Sequence, residues 1–204
     1  MAIKYVINTD KHGWLIVRHK NGSTYPPLPK YLKVDLFRPK GGREKGRDYF
    51  RILEGRYKGK IASVRRNGTQ SYLGSAIHKG PAKIHFDIAK KQLWFGEKSY
   101  WIFWSQPEVT AETFTEPRNP IPKGTYDIEI PYENHSLGGR YLGKSLFATT
   151  WFRIGHSGDR FLHPGNISAG CVTVKDIGEW TKIYNYLINS RKGDSLSVGT
   201  IEIV

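Results

Sequence analysis

Sulfur is almost missing from this chain: Cys171 is its one cysteine, beside one methionine. A single thiol excludes an intramolecular disulfide and any zinc cluster built on paired cysteines, and it is neutral as to redox compartment. Long apolar runs are also missing, so no membrane-spanning segment is expected. The opening MAIKYVINTDKHGW has neither an apolar h-region nor a small-residue cleavage site, so no classical export signal is expected. No Walker-type loop and no dinucleotide-binding glycine fingerprint occurs. His78 and His85 flank a Gly-Pro turn without cysteines or clustered carboxylates nearby, so no metal and no cofactor is expected.

Acidic residues are scarce only at the front. Residues 1–80 hold 18 Lys/Arg against 5 Asp/Glu, and residues 81–204 hold 14 against 13, so almost all of the net charge of +14 lies in the first part. An evenly solvated surface would not sort charge in this way. The reading is of two parts, a basic β-rich module over 1–80 and a second domain over 81–204. Oligomeric state is not legible.

What the chain has in abundance is turns and aromatics: 22 Gly, 11 Pro, 12 Tyr, 9 Phe and 6 Trp in 204 residues. That composition suits a mainly β fold. In the first part, IKYVI (3–7), WLIVRH (14–19), YFRIL (49–53) and KIASVRR (60–66) read as strands separated by NGST, KGG and NGT turns. A small SH3-like barrel would give this pattern. YPPLPKY (25–31) reads as an extended loop. Basic residues interleaved with Tyr and Phe give this module an anionic polymer, cell wall or nucleic acid, as its expected partner, against the plainer reading of a solvated basic surface.

In the second part, KIHFDIAKKQLWFGEKSYWIFWS (83–105) reads as two strands joined at FGEK, and residues 107–120 read as a loop rich in Thr, Glu and Pro. TYDIEI, TWFRI (150–154), CVTV (171–174) and SVGTIEIV read as further strands, and GGRYLGK (138–144) as a surface loop. One helix is expected over 175–190, with Ile177, Trp180, Ile183, Tyr184, Leu187 and Ile188 on one face and Asp176 as N-cap.

The chemistry concentrates in GHSGDRFLHPGNISAGCVTV, residues 155–174. By residue type alone a lone cysteine is most often a small buried hydrophobe. Here it follows Ser168-Ala169-Gly170 at the mouth of a turn, where Gly170 lets the backbone pass closely and present amide N–H groups to a carbonyl. His156 lies 15 positions upstream (171 − 156), within reach across two strands. A thiol of ordinary pKa is mostly protonated at neutral pH, and a neighbouring imidazole raises the thiolate fraction.

TWFRIGHS…SAGCVTV resembles the signature of the L,D-transpeptidase catalytic domain family (YkuD-like). IHFDIAKKQLWFG and NPIPKGTYDI resemble its opening strand pair and its Pro-x-Gly-x-Tyr segment. The resemblance covers residues 81–204 and leaves 1–80 outside it. It implies a β-sandwich-like domain, preceded here by the basic module, that acts on peptidoglycan stem peptides. The implied enzyme is an L,D-transpeptidase or L,D-carboxypeptidase of the bacterial cell envelope, working through a thioester. Within it Cys171 would be the nucleophile and His156 the general base. The N–H groups of Gly170 and Cys171 would form the oxyanion hole, and Ser157 would help to orient the imidazole. Most members have Ser-His-Gly-Cys, and Ala169 replaces that histidine here. His163, eight positions before Cys171, is the alternative residue to serve in its place. Asn166 and Ser168 are turn-formers first and substrate contacts second, and Tyr126 is a substrate contact implied by the Pro-x-Gly-x-Tyr segment. The change at Ala169 also motivates a second function, a catalytically weak or inactive wall or nucleic-acid binder on the same fold. With no export signal, a specialised delivery route or a cytoplasmic product is expected.

Overall fold

The computed structural model describes residues 2–19, 22–24, 26–39, 44–96 and 109–204. As the composition implies, the fold is mainly β, with one short helix near the C-terminus. The run SYWIFWS and the FGEK turn expected to precede it extend outside the described residues.

The basic part forms an antiparallel six-stranded sheet. It contains β1 (Ala2–Val6), β3 (Arg18–His19), β5 (Lys33–Phe37), β6 (Arg47–Ile52), β7 (Ile61–Arg65) and β8 (Leu73–Gly74), in the order β3-β7-β6-β5-β1-β8. Alternation drives it: Phe50 and Ile52 of β6 and Val34 of β5 are fully buried, while Arg51 between the first two is exposed. WLIVRH is not one strand. It breaks into β2 (Trp14–Leu15) and β3, and β2 pairs with β4 (Leu28–Pro29) inside the segment expected to be loop. Two residues suffice for that pairing, and the prolines prevent a longer ladder.

The second part is an eight-stranded sheet. Its strands are β9 (Ala82–Asp87), β10 (Gln92–Phe95), β11 (Val109–Phe114), β12 (Gly124–Glu129), β13 (Phe152–Arg153), β14 (Phe161–Pro164), β15 (Val172–Val174) and β16 (Ser197–Ile203), in the order β12-β16-β9-β10-β11-β15-β14-β13. β9 and β10 form a hairpin by themselves, turning at Ile88–Lys91. VTAETF, expected to lie in a loop, is the strand β11: Val109 and Ala111 face the core, and Thr113 is fully buried. The two outermost strands meet. Ile128 bridges to Ile154, and the Gly155 N–H donates to the Asp127 carbonyl at 2.7 Å, so the sheet nearly closes on itself at a β12–β13 seam.

The helix is shorter than expected. α1 spans Trp180–Ile188 after a 3-10 turn at Ile177–Glu179, and Asp176 makes no side-chain cap. Its apolar face is buried as the periodicity requires, with the Tyr184 ring stacked on Phe147 at 3.9 Å between centroids. The buried residues of both sheets form one contiguous apolar cluster. Beside it, Glu54 of the basic part and Arg191 form an ion pair at 2.9 Å, with side-chain exposures of 6 % and 7 %. The Glu54 carboxylate also accepts the Lys33 N–H at 2.8 Å, and Arg191 donates to the Tyr31 carbonyl at 3.1 Å. Among the described residues, no helix is long and apolar enough to cross a membrane.

Candidate active site

The SAGC turn is held from inside and from outside. The Ser168 hydroxyl donates to the Cys171 carbonyl at 2.9 Å and accepts the Gly170 N–H at 3.2 Å. The Arg160 guanidinium donates to the Gly170 carbonyl and, at 2.8 Å, to Asn119 Oδ1, while Asn119 Nδ2 donates to the Ala169 carbonyl at 3.2 Å. Gly170 has φ +115°, and a Cβ there would lie 2.7 Å from the Asn119 carbonyl oxygen and against the Arg160 guanidinium. Both facts require glycine. The Gly170 N–H, one of the two expected oxyanion donors, is therefore occupied by the Ser168 hydroxyl.

Cys171 is 9 % exposed, with Sγ directed to the Asp159 carbonyl at 3.8 Å. Burial pushes the thiol pKa up, against the opposing effects of a backbone hydrogen bond at Phe161 and the charge of Arg160, so the resting group is a protonated thiol. Cys171 borders a cavity of about 180 Å³ whose walls include His163, Trp151, Tyr141, Arg140 and Leu137. Arg140 and Tyr141 belong to GGRYLGK, so this expected surface loop is a wall of the cavity. The Tyr141 hydroxyl also accepts the Asn166 N–H at 3.1 Å, fixing the near end of the same loop.

His163 reaches that cavity because β14 pairs in parallel with β15, setting His163 opposite Thr173 one strand from Cys171. The imidazole is 4 % exposed. Its Nδ1 lies 3.0 Å from the Pro164 carbonyl, and its Nε2 lies 3.1 Å from the Thr173 hydroxyl. A carbonyl only accepts, so Nδ1 carries the proton and Nε2 holds the lone pair. Burial lowers the His163 pKa to about 4, despite the favourable Pro164 contact, and the ring is neutral at pH 7. Trp151 stacks on it at 4.1 Å, and His135 stacks on Trp151 at 4.6 Å.

His156 is placed differently. TWFRI supplies only the short strand β13, and the chain then turns at Gly155, which has φ +75°. Closure of the sheet brings the following residue against β12. There His156 Nε2 lies 3.0 Å from Asp127 Oδ2, and Nδ1 lies 3.3 Å from Glu129 Oε1. Burial opposes protonation, but the hydrogen bonds and charges of the two carboxylates outweigh it, and the His156 pKa is raised. With both nitrogens donating to carboxylates, the ring has no lone pair to offer. The fold thus brings His163 to the cavity of Cys171 and commits His156 to the seam.

The remaining expected contacts fall around these two centres. Ser157 is exposed in the turn after His156. Asn166 is exposed and borders a neighbouring cleft with Lys91, Glu112 and Lys175. Tyr126 lies on β12, where its hydroxyl donates to the Pro122 carbonyl at 3.0 Å, and it closes the 122–126 turn. Asp127, His156 and Asp194 offer ligand atoms within 4.8 Å of one another, but the Lys192 ammonium already sits 2.6 Å from Asp127. Asn119, Arg160, Trp151 and His135 escaped sequence reasoning.

No protein-family model and no characterised protein sequence matches the chain. Among solved structures it is similar to three L,D-transpeptidases of Mycobacterium tuberculosis. To one from strain H37Rv the identity is 14%, with 72% of this chain and 73% of that one covered and a TM-score of 0.38. To L,D-transpeptidase 1 the identity is 14%, over 92% and 81%, with a TM-score of 0.37. L,D-transpeptidase 3, in complex with a faropenem-derived adduct, is similar at 12% identity over 72% and 74%, with a TM-score of 0.36.

Proposed function

We propose that the chain is a cysteine-dependent acyltransferase acting on peptidoglycan stem peptides at the bacterial cell envelope, as an L,D-transpeptidase or L,D-carboxypeptidase. The observation that carries this reading is the shared cavity: Cys171 and a neutral, buried His163 wall one space of about 180 Å³. The SAGC turn and its resemblance to the L,D-transpeptidase signature supply the substrate class.

In this mechanism the Cys171 thiol gives its proton to His163 Nε2 as Sγ bonds to the stem-peptide carbonyl before the terminal D-alanine. The Thr173 hydroxyl, now on Nε2, must rotate aside or relay that proton. The Cys171 N–H, joined by the Gly170 N–H once the Ser168 hydroxyl turns away, stabilises the oxyanion. The C–N bond then breaks, and D-alanine leaves with the proton held by His163. An amine acceptor cleaves the thioester to form a new cross-link, whereas water releases a shortened stem; either gives Cys171 back its proton. His156 takes no part.

The test is mass spectrometry of muropeptides treated with wild type, Cys171→Ala, His163→Ala and His156→Gln. D-alanine release is expected to vanish in the first variant, to fall by about 10²–10⁴-fold in the second as for loss of a general base, and to persist in the third. Full release by Cys171→Ala overturns the proposal.

A second reading, a wall binder on the same fold without turnover, is favoured by one observation: burial holds the Cys171 pKa above its ordinary value. Iodoacetamide labelling separates the two. An activated thiol reacts faster at neutral pH than free cysteine does, and an inert one more slowly.

A further inference from the structure

A larger groove, of about 490 Å³, opens on the basic sheet, with walls that include Trp14, Ile16, Arg18, Arg47, Arg65 and Tyr72. The strand register builds its charge. Arg18 on β3 pairs with Ser63 on β7, and Arg47 on β6 pairs with Arg65 on β7, so three guanidinium groups share one face of three adjacent strands. Like charges directly opposite in a sheet are destabilising. The only carboxylate close to any of them among the described residues is Glu44, loosely placed at 3.7 Å from Arg47 and 3.6 Å from Arg65. The other acid on the groove, Asp10, accepts the His12 and Trp14 N–H groups, each at 2.9 Å.

Arg47 is the informative member. Its side chain is 6 % exposed, and its closest hydrogen bonds, 3.1–3.3 Å long, all go to neutral oxygens of Ser63. Burying a guanidinium without a well-seated carboxylate is costly, and an incoming carboxylate would relieve that cost. Beside the arginines the groove has one exposed apolar wall, the 71 % exposed Ile16, suited to short aliphatic side chains.

We propose that this groove binds an acidic peptide, namely the stem peptide of peptidoglycan, through carboxylate–arginine pairs to Arg18, Arg47 and Arg65. The identity of the ligand rests on the wall-substrate reading above. Single-stranded nucleic acid fits less well, because it needs exposed aromatic platforms for its bases, and on this groove Trp14 is 2 % exposed while Tyr72 is half-buried and packed against the core. The basic module would then hold one stem while Cys171 works on another.

The experiment titrates the full chain carrying Cys171→Ala, which cannot turn over, with synthetic L-Ala–γ-D-Glu–meso-diaminopimelate–D-Ala by calorimetry at low and high salt. Two sites per chain are expected. Arg18→Glu/Arg65→Glu removes the salt-sensitive one or weakens it at least tenfold. Both side chains are exposed, and the milder Arg18→Gln/Arg65→Gln serves if the charge reversal disturbs folding. Unchanged stoichiometry and affinity in a folded double variant overturn the groove, as does binding of a thymidine 15-mer at these arginines in place of the peptide. D-alanine release by the double variant with Cys171 intact reads the catalytic proposal separately. Release with no groove site leaves catalysis standing alone, and a groove site without release leaves the groove standing alone.

Discussion

Replacing His163 by Gln should change the acid stability of the protein in a direction opposite to the same change at His156. The His163 pKa is about 4 in the fold and 6.5 as its ordinary value. Between those two values the unfolded chain binds a proton that the folded chain refuses, so the neutral buried ring contributes stability above pH 6.5 that is lost as pH falls toward 4. A difference of about 2.5 units corresponds to ~3 kcal/mol. For a chain of this size that is roughly 6–12 °C in melting temperature. At His156 the sign reverses, because the folded pKa is raised. Its contribution is present below the unfolded pKa and is lost as pH rises through the folded one. The assay is thermal melting of wild type, His163→Gln and His156→Gln from pH 4 to pH 8. Taking differences between proteins cancels the groups remote from both histidines, and the His156→Gln difference reads His156 together with its partner Asp127. The advantage of wild type over His163→Gln should shrink on acidification, and its advantage over His156→Gln should grow. A pH-independent gap for His163→Gln would refute the assignment of a neutral, buried imidazole.

Two further predictions concern packing. Gly170→Ala should cost about 3 kcal/mol, from positive-φ strain together with a displaced Arg160–Gly170 hydrogen bond, and should alter the alkylation rate of Cys171. Gly68→Ala, at φ +59° with open space around it, should cost only about 1–2 kcal/mol and leave that rate unchanged; denaturant unfolding and iodoacetamide kinetics check both. Glu54→Ala leaves the buried Arg191 without its carboxylate and should destabilise the chain by about 3–5 kcal/mol, read as a lower denaturant midpoint.

The mainly β class and the charged front half were legible because strict alternation and turn residues are local signals. Residues 82–87 show it, burying every second position as the sequence implies. β11 was hidden because Thr and Glu suggest a loop by composition, although V-T-A-E-T-F alternates as cleanly as any strand in the chain. The Cys171 turn was readable for the same reason as the strands: Gly170 and its neighbours specify a local backbone. Which histidine shares a cavity with Cys171 was not, because that depends on pairing between distant segments. β14 is buried throughout and shows no alternation, while the Ile128–Ile154 bridge that carries His156 away joins residues far apart in sequence. The Asn119–Arg160 clamp on the turn is non-local in the same way.

That clamp has a consequence for the histidine absent from position 169. Asn119 and Arg160 grip the turn by the carbonyls of Ala169 and Gly170, and the Ala169 methyl is exposed on the rim of the cavity. The backbone path is therefore indifferent to what side chain stands there. Position 169 is a socket, open to exchange by evolution or by an engineer without redrawing the loop that carries the thiol.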